Sequence, residues 1–138
     1  MSESETGDGK IRPLHRIRVL LVGRDPHFIR VVGFLLERQR FLVASTRRFG
    51  DALAQIEQHR ANVVVVDATS SFASVARLVA AIEALYPSVG VLTVGEDASD
   101  RMLSLRVLPR WDFALLVEEV ERTYMRTRAE KEVHLGAR

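Results

Sequence analysis

Asn62-Val-Val-Val-Val-Asp67 is the stretch that decides how this chain is read. Four unbroken valines predict a strand buried on both faces, at the centre of a parallel sheet. Asp67 closes the run. A carboxylate at the carboxyl end of a buried strand lies where open α/β sheets place their chemistry.

Working outward, strand and helix patterns alternate. Ile17 to Val22 is a first short apolar strand. Gly23-Arg24-Asp25-Pro26 follows, with Asp25 a fitting N-cap and Pro26 suited to a first helical turn. Phe28, Val31, Val32, Leu35 and Leu36 then recur at helical spacing. Phe41 to Thr46 reads as the second strand, and Gly50-Asp51 opens a helix carrying Leu53 and Ile56. After Asp67 comes a Ser/Thr-rich loop containing Ser70 and Ser71, then a helix with Val75, Leu78, Val79, Ile82 and Leu85 inward, stopped by Pro87. Val89 to Val94 is the fourth strand, ended by Gly95. Between Glu96 and Arg110 the pattern is weak, with one helical turn near Asp100 and a short fifth strand at Leu105 to Leu108. Asp112 caps a last helix with Phe113, Leu116, Val117, Val120 and Tyr124 inward. Past Met125 the apolar stripe fades, and a fraying tail is expected. Five such units give an α/β fold, an open parallel sheet with helices on both faces. The organisation is a polar lead-in over 1–15, one domain over 16–125 and a charged tail over 126–138.

The 138 residues favour one domain, and 47% hydrophobic with 28% charged residues is an ordinary globular balance. Twenty basic residues face 18 acidic ones, for a net charge of +2, so nucleic-acid binding is not expected. The chain has no cysteine, which removes disulfides and thiolate metal sites. Apolar runs are too short to span a membrane, and the acidic amino terminus is no secretory signal. A cytoplasmic location is therefore expected.

Val-Leu-Leu-Val-Gly-Arg-Asp-Pro at 19–26, Val-Val-Val-Val-Asp67 and the order of the elements resemble the receiver domains of two-component response regulators. The resemblance covers about Arg16 to Tyr124. It implies a flavodoxin-like, doubly wound five-stranded sheet of order 2-1-3-4-5. It also implies that Asp67 matches the aspartate that takes a phosphoryl group from a histidine kinase.

The chain departs from that family at several positions. Two acids that hold Mg²⁺ after the first strand are replaced by Gly23 and Arg24, with only Asp25 left beside them. Gly95 stands where the family has a hydroxyl residue. Arg106 stands at the aromatic switch position, and Pro109-Arg110 replaces a Lys-Pro pair. The span from Gly95 to Pro109 is also short, so the fourth helix region is expected to be reduced. Bringing a phosphoryl group onto a carboxylate sets anions together, at about 4 kcal/mol for each unit pair at ~4 Å in an effective dielectric of 20. Gly23 offers no charge to offset this. Arg24 is expected to reach Asp67 and replace the metal by an ion pair. The alternative is that Arg24 faces solvent while Asp67 caps the next loop.

The leading reading is an atypical receiver, a pseudo-receiver, that is not an enzyme and carries no cofactor. It would act by docking a histidine kinase, an effector or a second copy of itself, with no output domain following it. One alternative keeps Asp67 as a working phosphoacceptor in a phosphorelay, with Asp25 and Asp67 holding a weak Mg²⁺. Another is a flavodoxin-like binder of a small ligand among Gly23, Asp67 and Gly95. His15, His27, His59 and His134 lack metal-ligand spacing, and neither a hydrolase elbow nor a dinucleotide fingerprint is present. Trp111 is either a packing anchor or an exposed aromatic at a partner site. Met102, Leu103 and Leu105 are candidates for an exposed partner patch. Glu118, Glu119, Glu121, Arg122 and Arg126 read as the outer face of the last helix.

Overall fold

In the computed structural model, residues 16–69, 72–95 and 107–136 are described. Five strands, β1 (Arg18–Val22), β2 (Leu42–Thr46), β3 (Val63–Asp67), β4 (Gly90–Gly95) and β5 (Val107–Pro109), form one parallel sheet. Its order is β2-β1-β3-β4-β5, as expected from the resemblance. The helices are α1 (Pro26–Arg38), α2 (Ala52–His59), α3 (Phe72–Leu85) and α4 (Phe113–Gly136). A short 3₁₀ turn, Phe49–Asp51, leads into α2.

The valine run does what its composition dictates. Every residue of β3 is buried, because β1 and β4 flank it and helices cover both faces. Alternation along the strands divides the core in two. Val19, Leu21, Val63 and Val65 pack with Phe28, Val32 and Leu36 of α1 and with Leu116, Val120 and Tyr124 of α4. Leu20, Val22, Val64 and Val66 pack with Ile56 of α2 and with Val75, Val79 and Ile82 of α3.

The caps behave as read. Asp25 accepts the His27 amide at 2.9 Å, and Asp112 accepts the Leu115 amide at 3.1 Å. Three details differ from the sequence reading. Leu85 is expected inward but is 61% exposed, as the last residue of α3. Glu119 was placed on the outer face but is buried, held by an ion pair with Arg122 one turn on. No fraying tail begins at Met125. Helix α4 runs on to Gly136, for Arg126 to Glu132 are nearly all strong helix formers that need no core to favour the conformation.

The fifth strand lies two residues later than read, at Val107–Pro109. The expected reduction of the fourth helix region, Arg106, Ser70, Ser71 and the Met102–Leu103–Leu105 patch lie outside the described residues. Among the described residues no helix is long and apolar enough to cross a membrane.

Candidate functional site

Sheet register brings three loops together at one edge. Val22 pairs with Val66, Asp67 with Val94, and Gly95 with Pro109, so β1, β3, β4 and β5 end nearly level. Backbone bonds then fix the first residue of each loop. The Gly23 amide donates to Thr46 O at 3.1 Å, Ala68 to Val94 O at 2.7 Å, and Arg110 to Gly95 O at 3.1 Å. The last of these bonds aims Arg110 across the strand ends.

The Arg110 guanidinium is the centre of the site. Its Nη2 donates to Asp25 Oδ2 at 2.7 Å and to Asp67 Oδ2 at 2.9 Å. That nitrogen carries two hydrogens, one for each carboxylate. The arginine side chain is 8% exposed, Asp67 1% and Asp25 36%, so one charge pair is dry and the other partly wet. Two aromatic rings flank the cation. Its guanidinium carbon lies 5.2 Å from the Phe28 centroid and 5.0 Å from that of Trp111. Trp111 also meets His27, with centroids 5.6 Å apart, and Phe28 at 6.1 Å.

The second oxygen of Asp67 is engaged as well. Its Oδ1 accepts the Thr69 amide at 3.2 Å and the Thr69 hydroxyl at 3.0 Å. Hydrogen bonding from Arg110, then from the His27 amide, holds the Asp25 carboxyl below its ordinary value of 3.8. Burial alone would pull the Arg110 guanidinium down, but the bonds to Asp25 and Asp67 outweigh it and raise the group above its ordinary value.

The expectation for Arg24 is corrected. Its guanidinium lies over the Phe49 ring at 5.4 Å, on the β2 side of the edge, and the cation that meets Asp67 is Arg110. The physical reason is direction. Arg24 precedes the N-cap and is exposed, whereas Arg110 leaves a strand end already bonded to β4. Sequence reading noted Pro109-Arg110 only as a missing lysine and so overlooked the residue that supplies the charge. Two facts could have pointed to it: an arginine directly after a buried strand, and two acids at neighbouring strand ends requiring a counter-charge. Thr69 was missed also, although a threonine two residues after an aspartate readily bonds it.

Gly23, Asp67 and Gly95 are all buried at the edge, and Pro109 closes β5 and is exposed. Gly23 has a specific steric role. A Cβ there would lie 2.8 Å from the Asp67 Cβ, so this loop can cross β3 at that distance only without a side chain. Trp111 is 49% exposed, so it both packs on Phe28 and presents a face to solvent. His59 contacts Leu42 O at 3.1 Å, away from the site.

The fold family implies Mg²⁺ at this edge, and the residues present do not suit it. A hard divalent ion needs several oxygen ligands. Among the described residues Asp25 and Asp67 are the acids at this edge, and each already directs its Oδ2 at Arg110. Among the described residues no three His, Asp or Glu side chains cluster as a metal site.

Comparison with solved structures now gives the architecture its place. This is the receiver fold. A CheY-like response regulator receiver domain protein from Methanospirillum hungatei JF-1 matches with a TM-score of 0.73 and 18% identity, over 84% of this chain and 99% of that one. A sensor protein from Polaromonas sp. JS666 matches at 0.70 and 18%, over 82% and 99%. A response regulator protein from Thermotoga maritima, in complex with Mg²⁺ and BeF, matches at 0.67 and 15%, over 78% and 98%. At these identities the likeness establishes the fold alone. No family model matches the sequence, and no curated protein does.

Proposed function

We propose that this protein is a pseudo-receiver, a cytoplasmic, non-enzymatic signalling module that works by docking a protein partner and does not undergo Mg²⁺-dependent phosphorylation. The observation that carries this reading is the shared guanidinium. Arg110 Nη2 sits within 2.9 Å of Asp67 and 2.7 Å of Asp25, where a divalent ion would have to compete with a built-in charge. Receiver architecture supports a place in two-component signalling, with a histidine kinase or an effector as the partner class. A second copy of the chain is a further candidate.

A second reading, favoured by Asp67 itself, keeps the chain as a phosphoacceptor. The carboxylate ends the central strand, and Arg110 and the Thr69 hydroxyl stand ready beside it. Incubation with acetyl phosphate and Mg²⁺, read by intact mass, separates the two. The pseudo-receiver should gain no mass, and Trp111 fluorescence should not respond saturably to millimolar Mg²⁺. A gain of one phosphoryl group that disappears in Asp67→Asn would establish the second reading instead.

A further inference from the structure

At the opposite end of the sheet, beside the residues leading into β3 and β4, lies a cavity of about 490 Å³. That volume falls within the range of small-molecule sites. Its wall comes from the end of α2, the turn between α3 and β4, and α4. Arg60, Asn62, Tyr86, Ser88, Tyr124 and Arg128 supply its polar chemistry, with Ile56 and Val89 as apolar lining.

The polar groups are biased towards donation. Asn62 Oδ1 accepts the Arg18 amide at 2.8 Å, which fixes the side chain and leaves its NH₂ as the outward function. Arg128 donates to the Tyr124 hydroxyl at 3.0 Å, with its guanidinium carbon 6.0 Å from that ring, so one cation is braced against the wall. Arg60 ends α2 at φ 56° and ψ 52°, the left-handed region, its amide tied to Ile56 O. It is exposed and forms no ion pair among the described residues. Among the described lining residues Glu57 is the acid set beside these arginines. Donors and cations along one wall, with aromatic and aliphatic surface beside them, suit an anion joined to a flat ring.

We propose that this cavity binds a small phosphorylated planar molecule of the nucleoside monophosphate type. Arg60, Asn62 and Ser88 take the phosphate, and the ring lies against Tyr86 over Ile56 and Val89. The site is independent of the Asp67 edge, and its failure would leave the pseudo-receiver reading untouched.

The test is amide-shift titration of the full chain with AMP, GMP, adenosine and inorganic phosphate. One of the nucleotides should saturate, moving the amides of Arg60, Asn62 and Ser88. Adenosine or phosphate alone should bind at least about tenfold more weakly, roughly 1.4 kcal/mol. Arg60→Gly removes the guanidinium while keeping a residue at ease in the left-handed region, and should weaken the nucleotide by about tenfold. Ser88→Ala should weaken it less, and Glu118→Ala, at an exposed pair on α4, not at all. The proposal falls if neither nucleotide saturates below ~10 mM, or if phosphate alone or adenosine alone binds as tightly. It falls equally if Arg60→Gly binds unchanged, or if the shifts gather at Arg110 and Trp111.

Discussion

At the carboxyl end of the sheet two carboxylates share one guanidinium and aromatic rings close over it; at the amino end Arg60 and Arg128 line a cavity of about 490 Å³. Open α/β sheets ordinarily keep the first of these places for anions. Here the chain's own Arg110 fills it, and the donor-rich hollow is at the other end. The difference teaches that a fold fixes where strand ends meet, while a few side chains decide which end stays available. Gly23 and Arg110 together close one end; Arg60 at a helix terminus lines the other.

Removing the shared cation should break the contrast most severely. Arg110→Ala leaves Asp67 buried with Oδ2 unpaired, and loss of one partner from a buried ion pair typically costs 3–5 kcal/mol. The wet side of Asp25 tempers this, so a loss of about 3 kcal/mol in urea unfolding is expected. A loss below about 1 kcal/mol would mean that the charges do not hold this edge.

Glycine substitutions compare the two ends sterically. In Gly90→Ala the new Cβ would lie 2.2 Å from Thr123 Cγ2, a buried β-branched side chain with little room to turn. In Gly23→Ala it would meet the Asp67 Cβ at 2.8 Å. Overpacking of this kind costs about 1–3 kcal/mol, so Gly90→Ala should fall near the top of that range and Gly23→Ala near the bottom, both read as shifts in urea midpoint. Equal costs would remove any special crowding at the amino end.

Acid should loosen the carboxyl end through Asp25. Its folded value is depressed, so its contribution is fully present above the ordinary value of 3.8 and fades as pH falls through the lower folded value. In a His27→Gln background, which takes the imidazole away from the indole, Trp111 emission should therefore stay flat from pH 7 to about pH 5 and change only below pH 3.8. A transition between pH 5 and 7 would contradict this coupling. The smallest effect belongs to the exposed Glu118–Arg122 pair, 3.0 Å apart with both side chains more than half exposed. Glu118→Ala should cost about 0.3–0.5 kcal/mol, a baseline for surface charge against which the Arg110 result can be judged.

Much of this fold was legible in the sequence because burial writes itself into composition. Val63 to Val66 had to be a central strand, and Asp25 and Asp112 announced the helices that they cap. Asp67 was legible for the same reason, standing at a strand end. Its partner was not. Arg24 is adjacent in sequence to the acidic edge, whereas Arg110 lies 43 residues from Asp67 and reaches it only through the pairing of β3, β4 and β5. Charge alone could not choose between two arginines; register did. The continuation of α4 escaped for a different reason. The apolar stripe reports where the core ends, while helix propensity carried the backbone further.

That continuation gives the molecule a pointer. Its 24 residues span about 36 Å, nearly twice the length of any strand, and its first turn is rooted beside Arg110 and Asp112. Leu116, Val120 and Tyr124 pin its first half to the sheet, so the turns beyond carry the orientation of that packed base out past the strand ends.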